Sequence, residues 1–138
     1  VILGFTGLKA NMTPAQLKTV RRLFEELRLH VLHHGDCVGA DEQAHQEAKA
    51  LDAWVVIHPP DKEDFRAHCK GDDTRPPAPY LKRNLEIAQA RDGLVAAPRT
   101  PIETLRSGTW ATVRYARAYG RPVWIVLPDG SVRVEAAA

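Results

Sequence analysis

His30-Val31-Leu32-His33-His34-Gly35-Asp36-Cys37-Val38-Gly39-Ala40-Asp41 is the stretch that decides the fold. Residues 30–34 read as a short strand that stops at Gly35. A turn with a second glycine, Gly39, follows, and then a helix with Ala40, Ala44, Ala48 and Leu51 on one face. Small residues on that face let the helix approach a sheet closely, the arrangement of a strand–turn–helix unit.

The same unit recurs on both sides. Upstream, Val1-Ile2-Leu3-Gly4-Phe5 is an apolar run that stops at Thr6-Gly7, the pattern of a buried strand rather than a signal peptide. Thr13-Pro14-Ala15-Gln16 then predicts a helix start, with Thr13 as cap, Pro14 at the first helical position and Gln16 closing a capping box. Leu17, Val20, Leu23, Phe24 and Leu27 continue it at helical spacing. Downstream, residues 53–57 predict a third strand, 80–91 a helix with Leu81, Leu85 and Ala88 inward, 94–97 a fourth strand, 110–119 a helix and 123–127 a fifth strand. Val132 and Val134 suit a short edge strand. Residues 59–79 form a long polar connection with five prolines, a candidate lid pinned at its middle by Phe65.

Short apolar strands alternating with helices imply a parallel sheet covered on both faces, and right-handed crossovers make it doubly wound. The expected fold is a single-domain α/β, Rossmann-like three-layer sandwich with a mostly parallel five-stranded sheet. A length of 138 residues suits one domain, 1–138. No apolar run is long enough for a membrane helix. Two cysteines, Cys37 and Cys69, are too few for a disulfide framework and imply reduced thiols and a cytoplasmic location. The net charge of +2 is dispersed, with no basic stripe of the kind a dedicated nucleic-acid binder carries. The absence of an initial Met implies residues upstream.

Ligands of such sheets sit beyond the carboxyl ends of the strands, near the point where strand order reverses. Three segments fall there. Thr6 and Gly7 end the first strand, offering a hydroxyl and a close backbone approach, or simply a turn. Gly35 to Asp41 offers amides at a helix start, an arrangement that binds anions. Gly39 and Ala40 would then approach a phosphate. Asp41 is either a helix cap or an acceptor for a ribose hydroxyl, with Asp36 beside it. Ser107-Gly108-Thr109 opens the last long helix, as an N-cap or as a second anion site. Arg83-Asn84 lies between them; Arg83 is either a solvated surface residue or a partner for phosphate. Cys37, near a helix start that can lower its pKa, is a candidate reactive thiol. No His or Cys pair has zinc-finger or HExxH spacing, and His33 and His34 point to opposite faces of a strand, so no metal site is expected.

In combination these segments resemble the SLOG superfamily of Rossmann-like proteins. The run His34 to Asp41 with Ala44 and Ala48 is similar to the glycine turn and helix of the YspA-like branch and of DprA/Smf proteins. Lys82-Arg83-Asn84 is similar to their Arg-Asn motif, and Ser107-Gly108-Thr109, with Ala116 and Gly120-Arg121-Pro122-Val123, to their last turn, helix and strand. The resemblance spans nearly the whole chain. It implies a nucleotide or nucleotide-derived, ADP-ribose-like small-molecule ligand, held for sensing, sequestration or processing without a further cofactor, and a homo-oligomer.

Two alternatives come with the same resemblance. Tyr80-Leu81-Lys82-Arg83 looks like the arginine motif of LOG phosphoribohydrolases, which makes Arg83 a candidate catalytic residue. The catalytic glutamate of that family falls at Thr112 here, and Leu105-Arg106-Ser107 replaces its proline–glycine–glycine lead. Glu103, Asp36 and Asp41 are the substitute carboxylates for such a hydrolase. A DprA-like single-stranded DNA binder is the second alternative.

Overall fold

A computed structural model describes residues 1–137. The elements, in chain order, are β1 (Ile2–Gly7), α1 (Pro14–Glu26), β2 (Val31–His34), α2 (Ala40–Ala50), β3 (Trp54–Ile57), β4 (Asp73–Thr74), α3 (Tyr80–Ala88), β5 (Leu94–Ala97), α4 (Gly108–Ala118), β6 (Val123–Val126) and β7 (Val132–Glu135). They form one seven-stranded sheet in the order β4-β3-β2-β1-β5-β6-β7. Every pairing is parallel except β6–β7.

The fold is the expected single Rossmann-like α/β domain, with seven strands rather than five. The edge strand at Val132 and Val134 extends the sheet beyond the five expected, pairing antiparallel with β6. The other addition, Asp73–Thr74, pairs with Val56 and Ile57 inside the proline-rich connection. Two residues have no readable period, so composition alone concealed it.

Alternation along the strands splits the core into two layers. Val95 and Ala97 of β5 join Phe5, Val20, Phe24, Ala44 and Val55 under α1 and α2. Leu94 and Ala96 join Ile87, Trp110, Val113 and Ala116 under α3 and α4. The capping box forms as read: Thr13 Oγ1 accepts from the Gln16 amide, and Gln16 Oε1 accepts from the Thr13 amide.

Helix α3 is rotated from its expected setting. Leu81 is 63% exposed, while Arg83, Asn84, Ile87 and Ala88 are buried. The helix turns polar side chains inward because its first turns face a cleft rather than the apolar core.

The chain runs outward from β1 to β4, then returns to place β5 on the other side of β1. The reversal therefore lies between β2–β1 and β1–β5, and the cleft opens above it.

Candidate functional site

The cleft has a volume of about 640 Å³ at the carboxyl ends of the strands. Of the residues read from sequence, Thr6, Gly7, Gly35, Asp41, Arg83 and Asn84 line it, as do Ser107, Gly108 and Thr109. Asp36, Gly39 and Ala40 do not.

Arg83 occupies the centre. It is 5% exposed, not a solvated surface arginine. Its Nη1 donates to the Gly35 carbonyl at 2.5 Å, and its Nε donates to Asn84 Oδ1 at 3.0 Å. The Cys37 sulfur lies 3.8–3.9 Å from its two terminal nitrogens, and the Tyr80 ring centroid 5.0 Å from its central carbon. A side chain on Gly35 would collide with the guanidinium, so this docking requires glycine there. Among the described residues no carboxylate lies within ion-pair distance of Arg83. Burying a charge without a counter-ion is costly, and the cost is relieved when an anion arrives.

Lys9, Arg99 and Arg106 also line the cleft, against one carboxylate, Asp41. Lys9 Nζ sits 4.9 Å from both the Phe65 and Tyr80 ring centroids. These three cations were not singled out from sequence. Two had a legible signal: Lys9 and Arg99 each lie two residues beyond the carboxyl end of a central parallel strand.

The turn at 35–41 spends four of its amides internally. Asp36 N–H donates to His34 Nδ1, Cys37 N–H to Asp41 Oδ2 at 3.2 Å, Val38 N–H to the Phe65 carbonyl, and Ala40 N–H to the Leu8 carbonyl. Gly39 has φ +89°, and a Cβ there would overlap the backbone of Ala10. Its glycine serves chain packing, and Ala40 rests against Gly7. Asp36 is fully buried; its Oδ1 accepts from the Cys69 amide and its Oδ2 from Arg66 Nε at 3.0 Å. That carboxylate tethers the 59–79 connection instead of facing the cleft. Phe65 pins the connection through its carbonyl, while its ring is 56% exposed.

The turn at 107–109 is different. Ser107 Oγ caps the helix by accepting from the Trp110 amide at 3.2 Å. The amides of Gly108 and Thr109 have no partner among the described residues. A Cβ on Gly108 would meet nothing within 4 Å. Thr112, the position of the glutamate in the resemblance to LOG enzymes, is buried and donates its hydroxyl to the Gly108 carbonyl.

Among the described residues two buried side-chain polar atoms are left without a partner, Asp41 Oδ1 and Trp110 Nε1, and both residues line the cleft. Burial pushes the Asp41 carboxyl up to about 6, against the pull of Arg83 and of the Cys37 and Gly35 amides. Burial, reinforced by Asp41, also pushes the Cys37 thiol above its ordinary value, opposite to the activated thiol expected from its place before a helix.

The resemblance in shape is to a solved protein. The fold is similar to that of TM1055, known from an X-ray structure as a structural genomics target. The TM-score is 0.60 at 17% identity, over 88% of this chain and 72% of that one. At that identity the similarity speaks for the fold alone. No protein-family model matches the sequence, and no curated protein does.

Beside the cleft, His34, His45 and Cys69 bring one ligand atom each to within 4.8 Å of one another. Their hydrogen bonding opposes metal binding. His34 Nδ1 accepts the Asp36 amide at 2.9 Å, so its proton sits on Nε2, which faces His45 Nδ1 at 3.0 Å. A metal at Nε2 would force that proton onto Nδ1, against an N–H. His33 leaves the opposite face of β2 and meets His58 at 2.8 Å, with Glu86 beyond it.

Proposed function

We propose that the protein binds a small anionic ligand of the nucleotide type in this cleft. The observation that carries the reading is Arg83, a buried cation with no carboxylate partner, facing a cavity whose other charged walls are mostly basic. The uncommitted Gly108 and Thr109 amides and the α4 dipole add a fixed positive end suited to phosphate. Eight residues of the motifs that resemble SLOG proteins, in the turns at 35–41 and 107–109 and at Arg83-Asn84, line one cavity, which supports a nucleotide over a bare anion. A cavity of this volume accommodates a nucleoside phosphate.

A hydrolytic reading has one observation in its favour. Asp41 is a buried carboxylate in the cleft, and burial keeps it partly protonated near neutrality. Incubation with nucleoside monophosphates, read by chromatography for free base, tests it.

The binding reading makes an unusual demand on Arg83→Met. Removing the buried charge relieves its desolvation but strands the Gly35 carbonyl and Asn84 Oδ1 that it bonds, so the empty protein changes little in stability, while removing the counter-ion for phosphate weakens binding by about tenfold or more. Thermal unfolding and calorimetry with adenosine 5′-monophosphate measure both. A variant that keeps full affinity would remove the reading.

A further inference from the structure

Four side chains from three segments form one chain of contacts at the cleft: the Phe65 ring, Lys9 Nζ, the Tyr80 ring and the Arg83 guanidinium. Lys9 Nζ lies 4.9 Å from both ring centroids, and the central carbon of Arg83 lies 5.0 Å from that of Tyr80. Tyr80 opens α3, and the spacing of three residues sets its ring and Arg83 on one face of the helix. Among the described residues neither cation has a carboxylate within ion-pair distance. A carboxylate in place of either ring would fix the cations and cancel their charge together. An aromatic ring attracts a cation through its quadrupole and brings no net charge. The positive potential of the cleft therefore stays available to an anion.

Phe65 reaches Lys9 from a strained backbone. Its φ is +64°, a left-handed setting that a bulky side chain rarely adopts. Hydrogen bonds hold the setting on both sides: the Phe65 carbonyl accepts the Val38 amide at 2.7 Å, and the Ala67 amide donates to the Asp36 carbonyl at 2.7 Å. The strain does not bury the ring, which is 56% exposed and faces the lysine. Strain maintained by the surrounding structure is the mark of a placement that function requires.

We infer that Phe65 and Tyr80 are positioning residues, an aromatic clamp that keeps Lys9 and Arg83 aimed at an incoming anion without neutralising them. This rests on the anion-binding reading and adds to it how the cations are held. It also gives the tie between the 59–79 connection and the 35–41 turn a purpose, since that tie carries Phe65. The clamp raises affinity by ordering the cations before the ligand arrives.

Two measurements test the clamp. In the unliganded protein, carbon–proton NMR reads Lys9 directly, with its signal assigned by its loss in Lys9→Met. Ring currents move the protons on Lys9 Cε upfield of those of the other lysines. Phe65→Ala and Tyr80→Leu each remove part of that shift, and Tyr80→Phe retains it. Calorimetry with adenosine 5′-monophosphate and with inorganic phosphate reads the consequence. Tyr80→Leu weakens both probes by about threefold to thirtyfold, the range of cation–π contacts. Tyr80→Phe keeps the affinity, because the ring acts and not the hydroxyl. Phe65→Ala weakens both probes less, and that loss vanishes in a Lys9→Met background, because Phe65 acts through Lys9. A Lys9 signal without an upfield shift overturns the clamp and leaves anion binding standing. A Phe65→Ala loss that persists without Lys9 does the same, since a ring that only packs the connection costs as much in either background. Binding of neither probe by the parent protein overturns both readings. The NMR signal of the parent decides the first point even if Tyr80→Leu does not fold.

Discussion

Two helix-opening turns border the same cleft, and they have been put to opposite uses. The turn at 35–41 is largely closed on itself: His34, Asp41, Phe65 and Leu8 take four of its amides, and Asp36 ties a neighbouring loop to it. The turn at 107–109 is capped by one serine and otherwise open. Both have the glycine-and-helix form associated with anion binding. The form says where amides lie, and the surrounding side chains decide whether a ligand can reach them.

The sharpest way to break the comparison is to put the same methyl group into both turns. In the closed turn, Gly39→Ala adds a Cβ at a left-handed φ of +89° and drives it into the Ala10 backbone. Neither neighbour can yield, since both are main chain. Strain and overlap together cost about 3 kcal/mol, read as a shift of the urea midpoint. A variant as stable as the parent would show that the turn is not locked against residues 8–10.

Acid reaches the closed turn through His34. Burial lowers the His34 pKa to about 3, and the Asp36 amide needs its Nδ1 unprotonated. The folded value lies below the unfolded one of about 6.5. This contribution is therefore complete above pH 6.5 and is lost as pH falls toward 3, by about 2 kcal/mol at pH 5. His33, lowered to about 4, has the same sign. Asp41 opposes them: its folded value of about 6 is raised, so protonation stabilises the fold as pH falls through 6. The Asp41 contribution at pH 5 is about 1 kcal/mol, so the net change is a loss of stability. Unfolding free energies at pH 7 and pH 5 measure it, and a protein more stable at pH 5 would refute the assignment of the histidines. Hydrogen exchange localises the change: the amides of 36–38 lose protection before those of 110–112.

Legibility in the sequence follows the same division. The sheet and both helix layers were readable because apolar runs and capping residues act locally: Thr13 with Gln16 and the apolar run Leu94-Val95-Ala96-Ala97 needed no tertiary knowledge. Leu81 of α3 was misplaced because the helix's first inward positions, Arg83 and Asn84, are polar, and a period count assigns apolar residues to the inside, whereas Ala88 lies inward as read. The open turn was legible as a cap with free amides. The closed turn was not, since its partners Phe65, Leu8 and Arg66 come from distant segments. Whether Arg83 is paired could be seen only once every carboxylate had a position.

The smallest expected effect completes the comparison. Gly108→Ala places a methyl group in open space at the first residue of α4, where the backbone is helical. Alanine is the better helix former, and the unfolded chain loses freedom, so stability rises by up to about 0.5 kcal/mol. The added methyl group stands beside two amides assigned to phosphate, however. Stability and ligand affinity should therefore move in opposite directions: a slightly higher melting temperature with weaker binding of adenosine 5′-monophosphate. If affinity is unchanged, the phosphate does not approach Gly108 closely, and the anion is held by Arg83 and its basic neighbours without the helix. If stability falls instead, the open space before α4 is not open, and the contrast between the two turns fails.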